Sequence, residues 1–322
     1  MTRLRIVNLL LGLMLVGALA PRPPAAFGQQ LEAASPAFWK LIDKDARLEK
    51  VADGFQFTEG PVWNPAGFLL FSDIPANQIV KFVPGAAPTA FRTPSGNSNG
   101  LTYDRAGRLL ACEHSNRRVT RQEADGSLTV LASSYDGKKL NSPNDIVVSS
   151  DGTIYFTDPP YGIREEQKEL PFQGVYKISP EGKLTLLAQD FDRPNGIALS
   201  PDEKTLYVDD SARLHVRAFD VAPDGSISHG RILAELKSAR QGVPDGMKVD
   251  RKGNLYVTGP GGVWVFDKRG KHLGTILMAE LPANCGWGDV DYRTLYLTAR
   301  TGLYRVRLRI PGFITYPTTM GR

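Results

Sequence analysis

The chain has 322 residues, 42% of them hydrophobic and 23% charged, with a formal charge of +5. That length supports one large domain with a sizeable core, and the absence of any Lys/Arg block argues against nucleic acid as a partner. The two cysteines, Cys112 and Cys285, make no disulfide framework. With neither Cys-x-x-Cys nor His-x-x-x-His, ordinary zinc patterns are missing, and two free buried thiols are expected.

Residues 1–28 read as a leader. Arg3 and Arg5 precede an uncharged apolar run from Ile6 to Ala20, and Ala25-Ala26-Phe27-Gly28 precedes Gln29. Ala26 and Gly28 suit the small −3 and −1 positions of a secretory signal peptide. The apolar run is shorter than the ~20 residues of a spanning helix. Removing the leader takes three arginines and no acid, lowering the charge from +5 to about +2. A periplasmic or secreted protein is expected, with no membrane association after cleavage.

From there the chain repeats. Glu59-Gly60-Pro61-Val62-Trp63 is followed by a turn and Phe68-Leu69-Leu70-Phe71. The same polar leader, apolar strand, turn and second strand recur from Asn99, Asn144, Asn195, Asp245 and, more weakly, Asn284. The leaders lie 40, 45, 51, 50 and 39 residues apart. Further strand-like runs close each unit, such as Val175-Tyr176-Lys177-Ile178 and Leu184-Thr185-Leu186-Leu187. Four short strands per unit of this length indicate an all-β, six-bladed propeller of four-stranded antiparallel blades. A sandwich or two-domain fold would not produce six equivalent leaders. Leu48-Glu49-Lys50-Val51 is the candidate strand for completing the sixth blade, and a short turn is expected at Phe38 to Ile42. The expected divisions are signal peptide 1–28, lead-in 29–46, propeller 47–310 and tail 311–322.

In such a ring the first strand of every blade lines the channel, so the six leaders should converge at one mouth. Two carboxylates and four amides form an oxygen-rich cage that suits a hard cation. Without one, the two acids would repel and one would hold a proton. Any single Asn-Gly or Asp-Gly is ordinarily a turn; recurrence in register is what points to a site. One divalent metal is expected, calcium first because it tolerates irregular geometry, with Mg²⁺, Mn²⁺ or Zn²⁺ open.

Phe57-Thr58-Glu59-Gly60-Pro61-Val62-Trp63, Ser142-Pro143-Asn144-Asp145, Phe156-Thr157-Asp158-Pro159-Pro160-Tyr161-Gly162, Arg193-Pro194-Asn195-Gly196 and Pro244-Asp245-Gly246-Met247 resemble the gluconolactonase/regucalcin (senescence marker protein) family. Asp158 to Gly162 and Cys112-Glu113-His114 are similar to its bacterial gluconolactonase-type branch. The resemblance spans roughly residues 47–310 and implies a propeller hydrolase of aldonolactones with one catalytic divalent cation. It implies Glu59, Asn195 and Asp245 as metal ligands, Asn144 as a ligand or substrate contact, and Asp245 as the proton-transfer carboxylate. Ser142 stands where the regucalcin branch has Arg, so that branch's sugar contacts do not carry over.

His114, Tyr161 and Asn99 are further substrate-binding candidates, although a lone His such as His114 is as readily structural. Trp287 suits core or pocket equally; Phe57 and Trp63 read as core, and His215, His229 and His272 carry no spacing signal. A small-molecule lactone is the expected partner of a monomer or weak dimer. The alternatives are another ester or phosphotriester hydrolase on the same site, or a non-enzymatic calcium-binding propeller. If the leader reading holds, N-terminal sequencing of the exported protein will begin at Gln29; an N-terminus that retains the apolar run would refute it.

Overall fold

A computed structural model describes residues 30–318; the leader, and with it the signal-peptide reading, lies outside the described residues. Six antiparallel sheets stand around one axis. Their inner strands are Thr58–Asn64, Ser98–Tyr103, Ile146–Val148, Pro194–Leu199, Met247–Val249 and Asn284–Gly288. Among the described residues helix is confined to two short 3-10 turns, Pro36–Lys40 and Glu165–Gln167. Among the described residues no helix is long and apolar enough to cross a membrane.

The middle strands carry unbroken apolar runs because each blade is covered on both faces. Leu69, Leu70 and Phe71 show the division. Leu69 and Phe71 pack with Trp63, Tyr296 and Leu297 toward the sixth blade, where Trp63 stacks on Tyr296 at 5.8 Å. Leu70 packs with Val62, Leu101 and Leu109 toward the second. Trp63 is core, as expected. Trp287 is core too: it is buried, its indole donates to Val249 O at 2.9 Å, and its ring lies against Gly312. Cys112 and Cys285 are free and buried.

The ring closes near the expected place. Glu49–Asp53 pairs antiparallel with Gly302–Arg307 and supplies the fourth strand of the last sheet. Ahead of it, Leu31–Ala33 adds a fifth strand to the fifth blade, against Gly274 to Ile276. At the other terminus, residues 311–316 cross the far end of the channel. Phe313 N donates to Val249 O at 2.9 Å and Gly312 N to Tyr292 O at 2.8 Å. Thr315 Oγ1 donates to Val148 O, and Tyr316 packs edge-on to Tyr103.

Around the axis the inner strands nearly touch. A Cβ on Gly60 would lie 2.1 Å from Asn99 O, and one on Gly196 would lie 2.2 Å from Asp245 O. Glu59-Gly60, Asn99-Gly100 and Asn195-Gly196 are therefore strand residues rather than turns, with glycine admitting the neighbouring backbone. Gly60 also has φ +54°. Gly60→Ala should cost about 3 kcal/mol or more through clash and strain. Gly67→Ala, at a turn with open space around it, should cost about 1 kcal/mol. Denaturant midpoints of the two variants measure the difference, and equal costs would contradict the close approach.

Candidate functional site

Irregular pairing flanks three of the leaders. Register shifts fall between Glu59 and Val62, Ser98 and Leu101, and Pro194 and Ile197, and such bulges redirect the side chains beside them. Glu59, Asn99, Asn144, Asn195 and Asp245 line one cavity of about 310 Å³ at the channel mouth, together with His114 and Tyr161. The metal and catalytic candidates Glu59, Asn144, Asn195 and Asp245 and the substrate candidates Asn99, His114 and Tyr161 thus share one cavity.

Neighbouring blades hold these positions in place. Ser72 Oγ donates to Asn99 O at 2.8 Å, Thr157 Oγ1 to Asn195 O at 2.7 Å, and Ser211 Oγ to Pro244 O at 2.7 Å. Second-strand carboxylates fasten the incoming loops. Asp73 accepts from Phe57 N at 3.0 Å, Asp158 from Asn141 N at 2.8 Å, and Asp210 from Asp192 N at 2.8 Å.

Two leader expectations need correction. Asn284 is not on the cavity wall. It sits beneath it, donating from Nδ2 to Glu59 Oε2 at 2.9 Å, because the residue in front of it on the fifth blade is Gly246, whose missing Cβ leaves room for the amide. Phe57 is not core: it is partly exposed and forms part of the cavity wall with Ile74, Pro75 and Val243. Alternation along the strand does not extend into the loop on which Phe57 lies.

The sequence reading also missed charges just below the mouth. Asp145 occupies the place that glycine takes after most other leaders; that break in the pattern was the available signal. It is buried and receives Ile146 N at 2.9 Å. Asp209 is buried with Oδ2 unpartnered. Lys248 Nζ lies 3.8 Å from Asp145 Oδ2.

Burial dominates the electrostatics. It pushes Glu59 up to about 7, assisted by the charge of Asp145 and opposed by the bonds from Asn284 and Gly60. Burial and the charge of Glu59 raise Asp245 well above the carboxylate range, against a hydrogen bond from Asn195. Burial lowers His114 to about 4, so the ring is neutral near pH 7. Its Nε2 lies 3.2 Å from Asn99 Nδ2; a neutral ring satisfies this contact by accepting there and carrying its proton on Nδ1. Asn99 Oδ1 then remains without a protein partner.

These groups fit a hard cation. Among the described residues no set of three or more His, Cys, Asp or Glu is gathered for a metal; the mouth offers two carboxylates and three amides. Two acids desolvated together lack a positive charge beside them, which an oxygen-coordinated divalent ion supplies.

The pH dependence of metal-free stability follows. Unfolded Glu59 loses its proton near 4.5, whereas folded Glu59 keeps it to about 7. The folded state binds more protons between these values, so this group's contribution is lost as pH rises through them. His114 acts oppositely as pH falls below 6.5, but equally in wild type and in Glu59→Gln. In chelator, Glu59→Gln should therefore match wild type near pH 4.5 and exceed it by about 3 kcal/mol near pH 8. A difference that does not change with pH in denaturant unfolding would remove Glu59 from the buried site.

Residues 57–301 match the family described as SMP-30/Gluconolactonase/LRE-like region. Over 306 residues the chain is 34% identical to a gluconolactonase of Zymomonas mobilis subsp. mobilis, covering 86% of each chain. Regucalcin of Oryctolagus cuniculus is 30% identical over 252 residues, 76% of this chain and 84% of that one. The solved structure of a gluconolactonase from Xanthomonas campestris superposes with TM-score 0.79 at 35% identity, over 87% of this chain and 94% of its own. On this match of sequence and fold, the chain belongs to the SMP-30/gluconolactonase/LRE-like family.

Proposed function

We propose that the protein is a metal-dependent lactonase that opens aldonolactones such as gluconolactone to the hydroxy acid. The observation that carries this reading is the confinement of Glu59 and Asp245, both buried and both raised, on a cavity whose other polar groups are amides, a neutral histidine and a phenol. Glu59, Asn195, Asp245 and Asn144 would hold the divalent ion, calcium by the oxygen character of the set. When bound, that ion polarises an ester carbonyl and acidifies water.

The chain's own residues supply the rest. Asp245 lies beside Asn195, which bonds through Nδ2 to Ser211 Oγ at 3.1 Å. From there Asp245 takes a proton from the attacking water and returns it to the ring oxygen as the ester C–O bond breaks. His114 is neutral, so it does not serve as the acid. It orients Asn99, leaving Asn99 Oδ1 to accept from a substrate hydroxyl. Asn144 and Tyr161 offer further polar contacts, and Phe57, Ile74, Pro75 and Val243 form an apolar wall for the C–H face of a small ring. The substrate is a free small molecule. We place the protein in the periplasm or outside the cell, from its leader, as a monomer or weak dimer.

A pH-indicator assay with gluconolactone, other lactones, an aryl ester and a phosphotriester, with and without chelator, tests the reading. Lactone turnover should depend on the cation, and Glu59→Gln and Asp245→Asn should each lower kcat/KM by about a hundredfold or more. Preference for the phosphotriester or aryl ester would move the activity to another hydrolase class. Calcium binding without turnover on any of them would leave a binding protein.

A further inference from the structure

Below the mouth the channel narrows to a second chamber of about 60 Å³, lined by Val62, Leu101, Ile146, Ile197 and Trp287 and roofed by the tail. Among the described residues Lys248 is the one charged residue on that wall. It lies three residues beyond Asp245 on the same blade, with its side chain about three-quarters buried. An ammonium in such surroundings is costly unless it is matched.

The ammonium points back toward the acids. Nζ donates to Met247 O at 2.9 Å, lies 3.4 Å from Asn284 Oδ1 and stands 3.8 Å from Asp145 Oδ2. Asn284 Oδ1 also receives Cys285 N at 2.8 Å, while its Nδ2 donates to Glu59 Oε2 at 2.9 Å. Two donors on one side and a carboxylate on the other leave the amide a single favourable orientation. Asn284 therefore transmits the position of Lys248 to Glu59.

Resting on the metal-dependent reading above, we infer that Lys248 is a positioning residue for the cation-binding mouth: it locks the Asn284 amide that holds Glu59 and offsets Asp145 beneath it. It touches neither substrate nor cation. A bare charge would do the opposite of positioning, since an ammonium near a cation site weakens binding by repulsion. The two roles therefore predict opposite signs.

Lys248→Met keeps the length of the stem and removes the ammonium. Calcium titrated calorimetrically into the folded mature variant should bind about tenfold more weakly than to wild type, the scale on which groups behind metal ligands act. kcat/KM should fall with it, Lys248→Arg should recover most of the loss, and a crystal structure of metal-free Lys248→Met should show the Asn284–Glu59 contact broken. Unchanged or tighter calcium binding with that contact intact would overturn the inference. Should Lys248→Met not fold, Lys248→Ala, which also removes the ammonium and leaves Asn284 and Glu59 in place, carries the same expectations and the same refutation. If wild type neither binds calcium nor opens lactones, the functional reading fails instead, and the crystallographic contact alone decides whether Lys248 positions Glu59.

Discussion

The structure depends on how closely six inner strands approach one axis. At Gly60 and Gly196 a methyl group would overlap the next blade's backbone oxygen, so the blades meet main chain to main chain. Hydroxyls of one blade then bond the leader backbone of the next, as Ser72 does at Asn99 and Thr157 at Asn195. The cavity walls are thereby shared between blades, and no single blade contains the site. Its rigidity comes from ring closure, which rests on Glu49–Asp53 completing the last sheet.

Close approach also strips water from whatever the leaders carry. Glu59 and Asp245 are acids placed where neither is easily ionised, which is a poor arrangement for a scaffold and a serviceable one for cation chemistry. The channel is layered accordingly. Carboxylates and amides stand at the mouth, Asp145, Asn284 and Lys248 lie beneath, and an apolar chamber follows. Each layer consists of successive residues on the same short strands, so a change in the lower layer reaches the upper one through the side chains that span them.

Much of this was legible in the sequence because repetition converts position into geometry. Once Glu59, Asn99, Asn144, Asn195 and Asp245 are seen as equivalent, a propeller brings them together without further information. What escaped were features that repetition does not encode. Phe57 belongs to a loop, where strand alternation no longer says which way a side chain turns, and Ile74, Pro75 and Val243 reach the cavity the same way. Asn284 shares the leader pattern but drops a layer, since its seat is set by the space above Gly246. Asp145 and Lys248 are ordinary charged residues along the chain; only the inward facing of their strands makes them neighbours.

The tail that roofs the apolar chamber gives the molecule a topology that the ring alone would lack. A propeller axis open at both ends would be a pipe, through which one molecule could leave while the next arrives behind it. Here Phe313 and Tyr316 line the lower chamber, which shares no wall residue with the cavity at the mouth. A small molecule bound at the mouth would therefore leave by the way it came, and under the proposed lactonase reading a charged product would contend with incoming neutral substrate for one doorway.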